Sequence, residues 1–365
     1  MPDALLRDLV ALNMTLRVGV ADYEQFVASF GSHEALRRAS IGELERTGKL
    51  GSRLAAEIVR LRDGEDPDEE LRQAGERGVA AVAFSDPGYP ALLRRIHNPP
   101  LVLYVQGRLE PADAVALAIV GTRHPTHYGQ THAGRLASEL ASRGMTIVSG
   151  FARGIDTAAH RAALDGGGRT LAVLAGGIAQ LYPPENAPLA DEVVAHGALL
   201  SEFPLHTRPL RPFFPRRNRI ISGLALGVLV VEADRDSGAL ITADWALEQG
   251  REVFALPGPV DRRSGGCHRL IQQGAKLAET ADDVLAELGD AGRALAPARP
   301  KPREALPALS PDESAILAVV GDDPKHIDAI TDACGLPPQT VASLLMVLEI
   351  KKAVTQLPGK HFVRK

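Results

Sequence analysis

The strongest constraint on this chain is a rhythm that sets in near Val79. Short aliphatic runs alternate with small polar loops and helix-length segments. Residues 80–84, 101–105, 115–120, 146–148, 170–174, 227–231 and 252–256 read as strands, and segments such as 131–143 and 152–164 as helices between them. Near-continuous apolar strands separated by helices predict a mostly parallel sheet covered on both faces. The expected fold class is α/β: a Rossmann-like, doubly wound domain over residues 79–290.

The flanks differ in texture. Residues 1–78 read as a helical domain, because Leu5, Leu9 and Leu12, and later Leu50, Leu54, Ile58 and Leu61, recur at helical spacing; a SAM-like or helix-hairpin-helix-like arrangement is the expectation for it. Gly48-Lys49-Leu50-Gly51 in that region is either a phosphate-facing hairpin turn or a tight turn between packed helices. The acidic run at 63–70 weakens the first alternative. Residues 291–308 are proline-rich and read as a semi-stiff linker. Segment 309–365 predicts a winged helix. Ser310 caps a first helix with an acidic first turn, two helices follow at 326–332 and 340–348, and Pro358-Gly359 turns a short hairpin. The second helix of that pair holds no Lys or Arg, which makes it a poor reader of base edges. Contact with protein, or with backbone alone, is the expectation for this domain.

In an open parallel sheet ligands gather at the carboxyl ends of the strands. Three loops there are small and polar. They contain Gly121, Thr122 and Arg123, then Ser149, Gly150, Arg153 and Gly154, and finally Ser237, Gly238 and Thr242. Glycines admit a phosphate close to the backbone, N–H groups donate, and arginines add charge. A dinucleotide cofactor is not expected. Gly121 stands alone where G-x-G-x-x-G is needed, Ser149-Gly150 occupies the place of the ribose acid, and no phosphate-loop motif is present.

Net charge is −4, so a polyanion must be held by a local patch. Between Glu202 and Glu232 no acidic residue occurs, while Arg208, Arg211, Arg216, Arg217 and Arg219 accompany Phe213, Phe214 and Asn218. Arginine grips phosphate and aromatic faces stack on unpaired bases, so single-stranded nucleic acid suits this stretch better than duplex. The competing possibility is that the phenylalanines are core and the arginines pair with Glu202, Glu232 or Asp156. Asp156 and His160 share a helix face and are expected to cap and orient rather than catalyse. There is no nucleophile elbow. Cys267 and Cys334 are too few for a disulfide framework and wrongly spaced for zinc. No catalytic residue, metal or cofactor is therefore expected. With no membrane-length apolar run and no signal-peptide pattern, a cytoplasmic protein is expected.

Together these residues resemble the DprA/Smf family of bacterial DNA-processing proteins. The likeness runs through Ile119-Val120-Gly121-Thr122-Arg123, Ser149-Gly150-Phe151-Ala152-Arg153-Gly154-Ile155-Asp156, Tyr182-Pro183, Phe214-Pro215-Arg216-Arg217-Asn218-Arg219, Ser237-Gly238-Ala239-Leu240-Ile241-Thr242 and Pro257-Gly258, over about residues 80–285. The resemblance implies a non-catalytic protein that binds and protects single-stranded DNA in natural transformation. It also implies loading of the RecA recombinase and a homodimer formed through the Rossmann-like domain. Its DNA contacts would be Thr122, Arg123, Ser149, Gly150, Arg216, Asn218 and Arg219. One departure is Lys352, where glycine is expected in the turn to the wing. The alternative is a nucleotide-processing enzyme similar to the LOG phosphoribohydrolases, whose Pro-Gly-Gly-x-Gly-Thr loop is replaced here by Pro257-Gly258-Pro259.

Overall fold

In the computed structural model, residues 4–47, 51–295, 309–321 and 324–364 are described. The Gly48-Lys49-Leu50 turn and most of the proline-rich linker lie outside them. The chain forms two compact units, residues 1–299 and 300–365.

The first unit is built on nine strands: β1 Val79–Ala83, β2 Val102–Gly107, β3 Ala116–Val120, β4 Thr146–Ser149, β5 Thr170–Val173, β6 Gly197–Ser201, β7 Gly227–Val230, β8 Glu252–Ala255 and β9 Lys276–Leu277. Their order is β1-β2-β6-β5-β4-β3-β7-β8-β9. The pairs β1–β2 and β2–β6 are antiparallel and the rest are parallel. The mostly parallel, Rossmann-like sheet is as expected from the strand–helix rhythm. β6 and β9 were not visible in that rhythm, since Ala198-Leu199-Leu200 lacks the β-branched residues that signal a strand and β9 has only two residues.

Successive residues of a strand face opposite sides, and the core divides accordingly. Leu117 and Ile119 of β3 pack with helices His127–Ser142 and Ile155–Asp165. Ala116, Ala118 and Val120 pack with helices Phe213–Gly223 and Gly238–Glu248. The N-terminal helices bury Leu9, Phe26 and Leu44 in one cluster with Val102 and Tyr104 of β2, and so extend the core to the antiparallel edge of the sheet.

The second unit is a winged helix with its own core around Ile316, Ile330, Leu345 and Phe362. Helix Pro311–Val319 is followed by strand Lys325–His326, helices Ile327–Cys334 and Pro338–Ile350, and strands Val354–Leu357 and His361–Arg364; the three strands form one sheet in the order Lys325–His326, His361–Arg364, Val354–Leu357. Ser310 Oγ accepts from Glu313 N at 3.2 Å, as its sequence position predicts. Lys352 has φ +57°, a left-handed conformation in which glycine is free of strain. That geometry accounts for the glycine expected there. No single helix among the described residues is long and apolar enough to cross a membrane.

Candidate nucleic-acid interface

β3 is the topological switch point: β4 pairs on one side and β7 on the other. The loops leaving β3 and β7 diverge there and open a crevice. It is a half-open cleft of about 460 Å³, lined among others by Gly121, Thr122, Arg123, Phe214, Arg217, Asn218, Ser237, Gly238 and Thr242.

Backbone contacts fix its floor. Thr122 N donates to Glu232 O at 2.7 Å and Ile155 N donates to Thr122 O at 3.2 Å. A Cβ on Gly121 would sit 2.6 Å from Ile155 Cγ1, so only glycine lets these loops cross. Gly154, at φ +79°, lies against Thr122 O in the same way. Asp156 Oδ2 accepts from Gly150 N at 3.1 Å and Ala152 N at 3.2 Å, which fixes the loop after β4. Burial pushes that carboxyl up to about 6, against the pull of Arg217. Glu232 accepts from Thr126 N at 3.1 Å and Thr126 Oγ1 at 2.6 Å, while Thr126 caps helix His127–Ser142. Ser237 Oγ accepts from Ala239 N at 3.3 Å and caps helix Gly238–Glu248, whose N-terminus faces the cleft.

The arginines divide. Arg123 is exposed, lies 4.9 Å over the Phe214 ring, and has no ion-pair partner among the described residues. Arg217 is buried and donates to the carbonyls of Gly150 and Val173. Arg219 is buried and holds Glu202 at 2.7 Å; Arg216 holds the same carboxylate at 3.0 Å and Leu16 O at 2.6 Å. These placements correct the expectation that Arg217 and Arg219 lie on an exposed patch and leave Arg216 half-buried; Arg216 and Arg219 make the pairing with Glu202 that stood as the competing possibility. Glu202, buried at the end of β6, needs counter-charge, and helical spacing turns positions 216 and 219 toward it. Phe213 stacks on Phe203 at 4.5 Å and is a packing residue. Ser149 is also inward, its hydroxyl donating to Ile119 O at 2.6 Å. Arg153 is exposed outside the cleft, paired with Glu185 and 5.6 Å over the Tyr182 ring.

One cleft residue escaped the sequence reading. Arg263, in the loop after β8, is exposed, lines the cleft and has no ion-pair partner among the described residues. Its signal was the Arg262-Arg263 pair shortly after Pro257-Gly258 at a strand's carboxyl end. Asp234 and Asp236 also line the cleft; Asp234 lies 3.6 Å from Arg262.

Fold and site define a Rossmann-like protein with two free arginines beside its switch-point cleft, linked in sequence to a winged helix. Residues 80–289 match the family model "DNA recombination-mediator protein A", and residues 300–360 match the "DprA winged helix domain". The chain belongs to the DprA/Smf family of DNA-processing proteins. It is 47% identical to the DNA processing protein DprA of Bacillus subtilis over 58% of this chain and 72% of that one. It is 43% identical to Protein Smf of Escherichia coli over 75% and 74%. The X-ray structure of DprA from Streptococcus pneumoniae superposes with TM-score 0.67 at 34% identity, covering 79% of this chain and 98% of that one. A structure addressing the single-stranded DNA binding mode of DNA processing protein A from Helicobacter pylori superposes with TM-score 0.53 at 29% identity, covering 57% and 95%.

Proposed function

We propose that the chain binds single-stranded DNA without strong sequence preference in the switch-point cleft, protects it, and mediates loading of the RecA recombinase. The observation that carries this is the pairing of unneutralised Arg123 with the face of Phe214 at the mouth of a half-open cleft. A guanidinium attracts phosphate while a neighbouring aromatic ring accepts an unpaired base, whatever its identity. Thr122, Asn218, Ser237, Gly238 and Arg263 supply further polar contacts along the cleft. Gly150, Gly154, Ser149, Arg217 and Thr242 shape the wall, and Arg216 and Arg219 hold it from behind. The role is binding without catalysis, in a homodimer formed through the Rossmann-like domain.

The relative from Helicobacter pylori supports the ligand class, since its structure concerns binding of single-stranded DNA. The test is affinity for oligo-dT beside a duplex of equal length, wild type and Arg123→Ala. Preference for oligo-dT, and a loss of about ten-fold in the variant, is expected from one lost phosphate contact. Equal affinity for both DNAs, or an unchanged variant, contradicts it. Incubation with nucleoside monophosphates is expected to release no base. Faster RecA assembly on coated DNA and a dimeric sedimentation coefficient are the expected results for the partner and the assembly.

A further inference from the structure

A second cleft, of about 510 Å³, lies behind the first. Helix Phe213–Gly223 is a common wall: Phe214, Arg217 and Asn218 line the first cleft, Arg216 and Arg219 the second. Helix Gly238–Glu248 is shared in the same way, Thr242 facing the first and Trp245 the second. Glu202, immediately after β6, places the second cleft at the carboxyl end of the sheet, as the loops after β3 and β7 place the first.

Its chemistry repeats that of the first cleft. Trp245, the single tryptophan of the chain, is half-buried in its wall. Arg17 is exposed at its edge with no ion-pair partner among the described residues. The two acids present are already engaged. Asp22 accepts from Gly19 N at 3.0 Å, and Glu202 is held by Arg216 and Arg219. Arg219 Nε is buried and has no hydrogen-bond partner among the described residues, a donor left over at the back of the cleft. Three guanidiniums thus face two carboxylates, and an aromatic ring stands beside them.

We propose that this cleft is a second nucleotide subsite on the same single strand, with Trp245 stacking a base and Arg17 meeting the phosphate beside it. The proposal rests on the single-strand reading above and extends the track across helix Phe213–Gly223. An aromatic face with flanking cations is the arrangement that holds a strand without reading its sequence.

Because Trp245 is alone, its emission reports on this cleft. The full chain is titrated with long oligo-dT and with a thymidine trinucleotide, wild type beside Arg17→Glu, whose side chain is on the surface. Expected are quenching of Trp245 emission by long oligo-dT and a loss of about ten-fold in long-oligo affinity in Arg17→Glu, with trinucleotide affinity unchanged. Long oligo-dT that binds with unaltered emission and equally well to Arg17→Glu overturns the second subsite and leaves the first standing. Absence of binding by any oligonucleotide removes the single-strand reading itself.

Discussion

Arg219 and Arg123 stand on the same end of the sheet in opposite surroundings. Arg219 is buried against buried Glu202, so Arg219→Ala leaves a carboxylate with only Arg216 to answer it. Breaking such a pair costs about 3 kcal/mol, and the variant should melt well below wild type in a thermal scan. An unshifted midpoint would show that the pair carries no stability. His160 is informative for a different reason. Thr170 donates its hydroxyl proton to Ile147 O at 2.8 Å, so His160 Nδ1–H must be the donor in their 2.7 Å contact. Nε2 is left bare and buried, and burial pushes the imidazole down to about 3. Below 6.5 the unfolded chain therefore takes up a proton that the native state refuses, and stability falls with pH until about 3. Asp156 has the opposite sign: from about 6 down to 3.8 the native state holds the extra proton, and stability rises as pH falls. The two partly offset each other in that window. His160→Gln should lose less stability than wild type on acidification, measured as the change in denaturation midpoint between pH 7 and 4. An identical change in both proteins would mean His160 does not titrate abnormally.

At the scale of elements, helix Pro338–Ile350 occupies the recognition position of the winged helix yet exposes Met346 and Ile350 and carries neither Lys nor Arg. The isolated segment 309–365 should bind duplex DNA no better than a generic protein at moderate salt. Tight binding in a gel-shift titration would contradict that. The same helix shows what a sequence discloses: its apolar spacing follows from local rules, whereas the left-handed turn at Lys352 was marked only by the glycine that the family resemblance leads one to expect there. The parallel strands and the loops at their carboxyl ends were legible for the same reason, since period and turn chemistry are local. Helix Phe213–Gly223 was not. Which of its arginines meets solvent depends on Glu202, which follows β6 and is brought against the helix only by the fold. Arg263 was missed likewise, because the β8 loop joins the cleft through sheet order alone.

For the whole molecule, a net charge of −4 means that binding of a polyanion depends on a few local cations, and on salt. Each phosphate neutralised on a single strand contributes about −0.7 to the slope of log affinity against log salt. The free guanidiniums at the switch-point cleft, Arg123 foremost, are where that slope should originate. The most direct measurement is oligo-dT affinity of the full chain over a salt series, wild type beside Arg123→Ala. The cleft predicts a steep fall for the wild type, and for the variant weaker binding with a slope shallower by about one contact. Superimposable lines for the two proteins would place the strand elsewhere.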